Sequence, residues 1–346
     1  MSNATPTNLL HALQEATQLS TRHIVIILGE EPKFNHATQY KLIQKMLKAL
    51  ALAVSHAGVG ISILKNRKAD AVISYGFSTE LLFLTYIFSL FQTKNVYLLI
   101  HHNIQQAHQE YGMNLLLKVY NFLGYRFIVN ETSTVLHSLG FNPQQVARHV
   151  SLPHPVKSMD ISPNLLGIKP TLMPRIGVIG KVRRGKRFTE TVDQLVELKN
   201  KLKFSLLIGV DDPTAIGHGD VQEIELVNTS SHEKYLAALS SCDIIVLNYD
   251  EAQYFYRCSG VAADAIGTKT YIVCPNFPLI SSQIQYPSPV GVLYDDETGL
   301  EAALKKALES VSVLKNSAFE SHYIERSPLK LASIFDAMVD IHLNEH

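Results

Sequence analysis

The chain lacks several features that would place a sequence in a class outright. Only three cysteines, Cys242, Cys258 and Cys274, occur in its 346 residues. None stands in metal-ligand spacing, so the expectation is reduced thiols in a cytoplasmic protein. An excess of one charge is also missing. The 31 Lys+Arg match 31 Asp+Glu, and the whole molecule advertises no nucleic-acid partner. No basic segment followed by an apolar run opens the chain, so secretion is not implied. The most apolar stretch, Leu81 to Phe91, is shorter than the roughly 20 residues a bilayer crossing requires and reads as a buried helix. Contact of that face with a membrane is the minority reading. Fixed-period repeats, low-complexity tracts and metal-ligand spacing among the 15 histidines are absent too.

The chain does have enough length for two cores, and 46% hydrophobic with 18% charged residues suits a well-buried globular protein. The zero charge balance hides an asymmetry. Residues 1–150 carry 12 Lys+Arg against 7 Asp+Glu, and residues 151–346 carry 19 against 24. A basic half can orient a protein toward an anionic membrane or acceptor, although ordinary surface variation accounts for it as well.

Short β-branched runs alternate with helical patterns. His23–Leu28, Ala71–Ser74, Val96–Ile100 and Tyr125–Val129 read as strands, with a helix from about Ala37 to His56. Pro153, Pro155, Pro163, Pro170 and Pro174 then punctuate a linker. The rhythm restarts with Arg175–Ile179, Phe204–Ile208, Asp243–Leu247 and Thr270–Val273. A capping box at Ser230–Glu233 starts a helix to about Ser240. The expected fold is α/β. Two doubly wound Rossmann-like domains, 1–156 and 175–326, are joined by a linker at 157–174, and their carboxyl strand ends leave a cleft for ligands.

Two segments carry the chemistry. Gly180-Lys-Val-Arg-Arg-Gly-Lys-Arg187 packs five cations between a strand and a helix starting near Thr189. Cations beside free helix N–H groups make an anion site, and a diphosphate is the natural guest. A solvated basic loop is the plainer alternative. In Tyr254–Gly267, Ser259-Gly260 forms the turn into a helix, Gly260 permits close backbone approach to a phosphate, and Ser259 caps the helix or donates to an oxygen. Asp264, about one turn in, is placed to accept ribose hydroxyls; the alternative is a solvent-facing acid.

These segments resemble the nucleotide-sugar domain of GT-B glycosyltransferases, most nearly the retaining family four. Gly180-Lys181 and Lys186 fall on that family's Gly-Arg and Lys-Gly positions, with Arg187 in place of the glycine. Tyr235–Leu247 is similar to its helix, Ala-Asp and strand. Asp264-Ala-Ile is similar to its Glu-Ala-Met, and Gly291–Glu297 also fits. In the first half, Val96–Asn103 resembles the strand that ends in the family's active-site histidine. Phe127–Ser133 and Ser151–Val156 resemble its last strands before the link, and Leu329–Leu343 the helix that crosses back, here assigned as 327–346. Two departures stand out. Tyr256 occupies the place of the family's first acid, with Asp250 and Glu251 at the wrong spacing, and Gly29–His36 replaces the glycine-rich loop.

The resemblance implies a nucleotide-sugar-dependent hexosyltransferase that retains configuration. Lys181, Lys186, Arg184, Ser259, Gly260 and Val261 would hold the donor diphosphate, and Asp264 the ribose. Tyr256 and Arg257 would border the donor sugar. His102, by the family's pattern, or His101, by strand end alone, is the catalytic histidine. Glu30 and Glu31 are further candidates for acceptor recognition or base catalysis. No cofactor and no metal are expected, because Lys and Arg can neutralise the leaving diphosphate. The expected partners are a nucleotide-sugar donor and a glycan or lipid-linked acceptor. The alternatives are a GT-B-shaped binding subunit without turnover and a nucleotide-sugar epimerase.

Overall fold

A computed structural model describes residues 4–28, 41–75, 82–161, 163–168, 171–183, 185–212, 224–296, 299–311 and 316–344. The chain divides into two compact units, one of residues 11–152 with 328–346 and one of residues 153–327 with 1–10.

The first unit begins with most of α1 (Ala4–Leu19), then β1 (Ile24–Leu28), α2 (Lys41–Lys65), β2 (Ala71–Tyr75) and α3 (Leu82–Phe88). There follow β3 (Val96–Ile100), α4 (Asn103–Gln109), α5 (Tyr111–Phe122), β4 (Arg126–Asn130), α6 (Pro143–Val146) and β5 (Val150–Leu152). Its described strands pair in sequence order β1-β2-β3-β4-β5, all parallel. The central strands β3 and β4 are buried along their whole length, which is why they read as continuous apolar runs.

Two expectations change here. Helix α2 does not stop at His56 but continues nine residues further. Within that extension Gly60 makes room: the Thr85 carbonyl oxygen lies 2.6 Å from where its Cβ would stand. A buried link from His56 Nδ1 to Thr85 Oγ1 (3.0 Å) fastens the same crossing. Of the stretch read as a buried helix, 82–88 form α3, with Leu82 and Thr85 buried but much of the rest exposed. Of α3 and the turn after it, Phe83, Ile87, Phe88, Leu90 and Phe91 are exposed.

The second unit contains β6 (Arg175–Ile179), α7 (Phe188–Leu202), β7 (Ser205–Val210), β8 (Ile224–Asn228), α8 (His232–Ser240) and β9 (Ile244–Val246). It continues with α9 (Glu251–Tyr254), α10 (Gly260–Gly267), β10 (Tyr271–Pro275), α11 (Pro278–Gln285), β11 (Gly291–Tyr294), α12 (Gly299–Val311) and α13 (Asn316–Glu325). The sheet is parallel in the order β11-β10-β9-β6-β7-β8. Helices cover both faces. Val192 and Leu195 of α7 and Leu304 of α12 pack with Ile176 and Val178. Leu236 and Leu239 of α8 and Ile266 of α10 pack with Ile179, Leu207 and Ile245. The cap of α8 is Ser231, one residue later than expected, and accepts from the Lys234 N–H at 3.2 Å.

The chain passes between the units after Leu152 and again after Ser327, where α14 (Pro328–Asn344) begins. Beside both passages lies Arg326, fully buried. Its guanidinium donates to the carbonyls of His154 (3.2 Å), Gln283 (3.2 Å) and Tyr286 (2.9 Å), and its Nε to His322 Nδ1 (3.2 Å). A cation in this position is tolerable because backbone oxygens replace its hydration.

Candidate functional site

The second sheet reverses its direction of growth between β6 and β9. Loops leaving such a pair diverge, and the crevice at their carboxyl ends is where open parallel sheets bind ligands. Two segments emerge there, one after β6 and one after β9. Gly185 fastens them together. Its carbonyl accepts the Asp250 N–H at 2.9 Å. Its φ is +87°, which favours glycine, and the Gln253 side chain fills the space a Cβ would take.

Lys186 turns back over the end of β6. Its Nζ lies 3.2 Å from the position a Cβ on Gly180 would take. Burial pushes its pKa down to about 8; Arg183 and Lys181 add to the fall, and Asp264 opposes it. Arg187 follows as the residue before α7 with φ +42°, a left-handed backbone at the place where the resembling family has glycine.

Helix α10 supplies the other wall. Ser259 caps it, its Oγ accepting the Ala262 N–H at 3.1 Å, as the sequence suggests. Ser259, also expected at the phosphate, has its polar groups engaged within the fold. Its N–H donates to Gln283 Oε1 (3.0 Å), its Oγ lies 2.7 Å from the Tyr249 hydroxyl, and the residue is buried. Ser259 shapes the turn, and the amides of half-buried Gly260 and Val261 are the ones left at the helix start.

Asp264 stands one turn further on. The Tyr235 hydroxyl donates to its Oδ2 at 3.0 Å. Burial raises the carboxyl pKa to about 6, against the lowering pull of the Tyr235 hydrogen bond, His232 and Lys186. Lys186 and Asp264 therefore sense each other, while among the described residues no ion pair within 4.0 Å joins them. Tyr235 and His232, whose rings stack at 6.1 Å, were not singled out as site residues by sequence reasoning. Their only signal was the i, i+3 spacing that places both on one face of a helix.

An aromatic tier underlies this wall. Tyr249 stacks on Tyr254 at 4.2 Å, and the Arg257 guanidinium lies 5.9 Å from the Tyr254 ring centre. Burial lowers the pKa of Arg257. Tyr256 is buried with its ring edge-on to Phe255 at 4.8 Å.

In the first unit, the carboxyl ends of β3 and β4 bring other groups together. His101 Nδ1 lies 2.7 Å from Asn130 Nδ2, which fixes the ring. His102 is exposed, its ring 4.2 Å from that of His101. Glu131, next after β4, is buried and holds φ +67°. A buried carboxylate on left-handed backbone is strain of the kind that collects at functional sites. Arg184, Glu30 and Glu31 lie outside the described residues.

The chain matches no protein-family model and no curated protein sequence. Solved structures do match. The catalytic domain of starch synthase IV from Arabidopsis thaliana, bound to ADP and acarbose, superposes with a TM-score of 0.57 over 90% of this chain and 80% of that one, at 11% identity. The fold is GT-B. The lipopolysaccharide outer core galactosyltransferase WaaB, also GT-B, gives 0.57 over 88% and 82%, at 11% identity. Sucrose-phosphate synthase from Thermosynechococcus elongatus gives 0.53 over 98% and 92%, at 13% identity. Among the described residues, no helix of this GT-B chain is long and apolar enough to cross a membrane.

Proposed function

We propose that this chain is a glycosyltransferase that takes its sugar from a nucleoside diphosphate donor. The observation that carries the reading is the pairing of Lys186 and Asp264 at the switch point, each altering the other's proton affinity without an ion pair. A diphosphate on Lys186, Lys181 and the Gly260 and Val261 amides would place the ribose hydroxyls toward Asp264, whose Oδ2 is oriented by Tyr235. The ADP named in the starch synthase structure supports a nucleotide at such a site.

In the transfer, the bond from the anomeric carbon to the diphosphate oxygen breaks and a bond to an acceptor hydroxyl oxygen forms. The hydroxyl proton leaves to a base or to the departing phosphate. Charge builds on the diphosphate, and fixed cations in a partly dry crevice stabilise it more than water would. Lys181 and Lys186 take this part with no metal in the reading. His101, held by Asn130, and Glu131 are the acceptor-side candidates. The acceptor is a glycan or a lipid-linked sugar, and the configuration is retained. Release of nucleoside diphosphate from a donor panel, with and without Lys186→Ala, tests the proposal. Release by wild type that falls in the variant supports it.

Buried Tyr256, standing where the resembling family has an acid, favours a second reading, a nucleotide-binding subunit without turnover. Binding of nucleoside diphosphate with no release from any donor would select it.

A further inference from the structure

The five parallel strands of the first unit start nearly level, with Ile24 opposite Ala71, Val72 opposite Val96, Tyr97 opposite Arg126 and Ile128 opposite Val150. The loops that enter them therefore share one rim. Hydrogen bonds tie this rim together: Asp70 N–H to the His23 carbonyl (2.9 Å), Asn95 Nδ2 to the Ala69 carbonyl (2.6 Å), and Thr93 Oγ1 to the Leu123 carbonyl (3.0 Å).

The rim has an ordered composition. Its centre, the loops entering β3 and β4, presents Leu90, Phe91 and Phe122 with 67%, 62% and 88% of their surface exposed. Leu90 and Phe91 both hold left-handed backbone, at φ 52° and 65°. Two large side chains in succession rarely adopt it, and here it presents them to solvent. Exposed cations flank this tip: Lys65 at the end of α2, Arg67 and Lys68 in the loop entering β2, Lys94 beside it, and Arg148 in the loop entering β5. Among the described residues none of the five has a carboxylate partner. The rim's acids are engaged elsewhere. Asp70 accepts the His23 N–H at 2.8 Å, Asp336 accepts from Thr21, and Asp340 pairs with Arg22.

We infer that this rim docks the protein on the surface of an anionic lipid bilayer. Separate apolar tips that project from loop ends suit a soft, deformable surface, and cations on both sides suit its negative charge. The rim is the amino-terminal one. His101 and Asn130 stand at the other end of five-residue strands, about 17 Å away. Docking thus holds the protein at the membrane without inserting those groups into it. The inference is independent of the transferase reading, because it needs no turnover.

Sedimentation of the full chain with lipid vesicles tests it. Binding to mixed phosphatidylcholine–phosphatidylglycerol vesicles, weakened by added salt, and little binding to pure phosphatidylcholine are expected. Leu90→Asn with Phe91→Asn removes the tip while suiting left-handed backbone, so folding is retained. It should lower vesicle affinity about tenfold or more. Arg67→Glu with Lys68→Glu should do the same on anionic vesicles only, also by about tenfold or more. Nucleoside diphosphate binding should be unchanged in both variants. Absence of wild-type binding to the anionic vesicles overturns the inference, as does full binding by both variants. Binding of a single-stranded oligonucleotide that displaces the vesicles while Leu90→Asn/Phe91→Asn has no effect also overturns it, in favour of nucleic acid.

Discussion

Lys186 and Asp264 belong to different elements, the loop after β6 and helix α10, and meet in one crevice where each shifts the other's pKa. Their shifts have opposite signs and the same main cause, loss of water. The apo site therefore holds its charges at some cost to stability, and a ligand that supplies a diphosphate and hydroxyls would offset that cost.

The first prediction concerns pH. Asp264 with a pKa of about 6 is the acceptor of ribose hydroxyls only when ionised, so binding falls as pH drops below that value. Lys186 with a pKa of about 8 neutralises a diphosphate only when protonated, so binding falls as pH rises above that value. Nucleoside diphosphate affinity measured against pH should be bell-shaped between these limits. Lys186→Met should flatten the alkaline limb and move the acid limb to higher pH, because the cation that lowers the Asp264 pKa is gone.

A second prediction separates binding from stability. At pH 7 the folded state carries an ionised Asp264 whose pKa is raised from 3.8 to about 6, which favours unfolding. One pKa unit corresponds to about 1.4 kcal/mol, so the effect is of order 2–3 kcal/mol. Asp264→Asn should raise the thermal midpoint at pH 7, with the gain shrinking as pH falls below about 6 and gone only below 3.8, where both states are protonated. The same variant should bind nucleoside diphosphate more weakly.

Arg187 offers a third. Its left-handed backbone at φ +42° precedes α7 with no side-chain cap. Relieving that strain with Arg187→Gly should stabilise the protein by about 1 kcal/mol in urea melts. A lower midpoint would mean that the Arg187 side chain contributes more than its backbone strain costs.

Arg326 is the fourth. Removing its guanidinium strands the carbonyls of His154, Gln283 and Tyr286 in a buried setting. Arg326→Ala should destabilise by about 3 kcal/mol or more. Arg326→Lys, which reaches fewer of them, should lose somewhat less.

Much of the fold was legible because parallel strands buried on both faces appear as short apolar runs. Val96–Ile100 and Arg175–Ile179 could be read to the residue. The cap at Ser259 was legible because capping chemistry is local. What the sequence hid was tertiary. The continuation of α2 past His56 depends on Gly60 leaving room for the Thr85 carbonyl, a contact no local pattern shows. Nor does the sequence show that Gln283 and Tyr249 hold Ser259. Leu90 and Phe91 look like core, and only a fold that turns them outward shows otherwise. Tyr235 and His232 look like ordinary helix positions, and the nearness of Asp264, some 30 residues later, is what gives them meaning.

The most direct measurement is calorimetric titration of a panel of nucleoside diphosphates into wild type, Lys186→Ala and Asp264→Asn. At least one diphosphate should bind wild type. Lys186→Ala should weaken it tenfold or more through the phosphates, so that the matching nucleoside monophosphate loses less. Asp264→Asn should weaken diphosphate and monophosphate alike. Wild-type affinity retained by both variants would contradict a donor site between the loop after β6 and the start of α10.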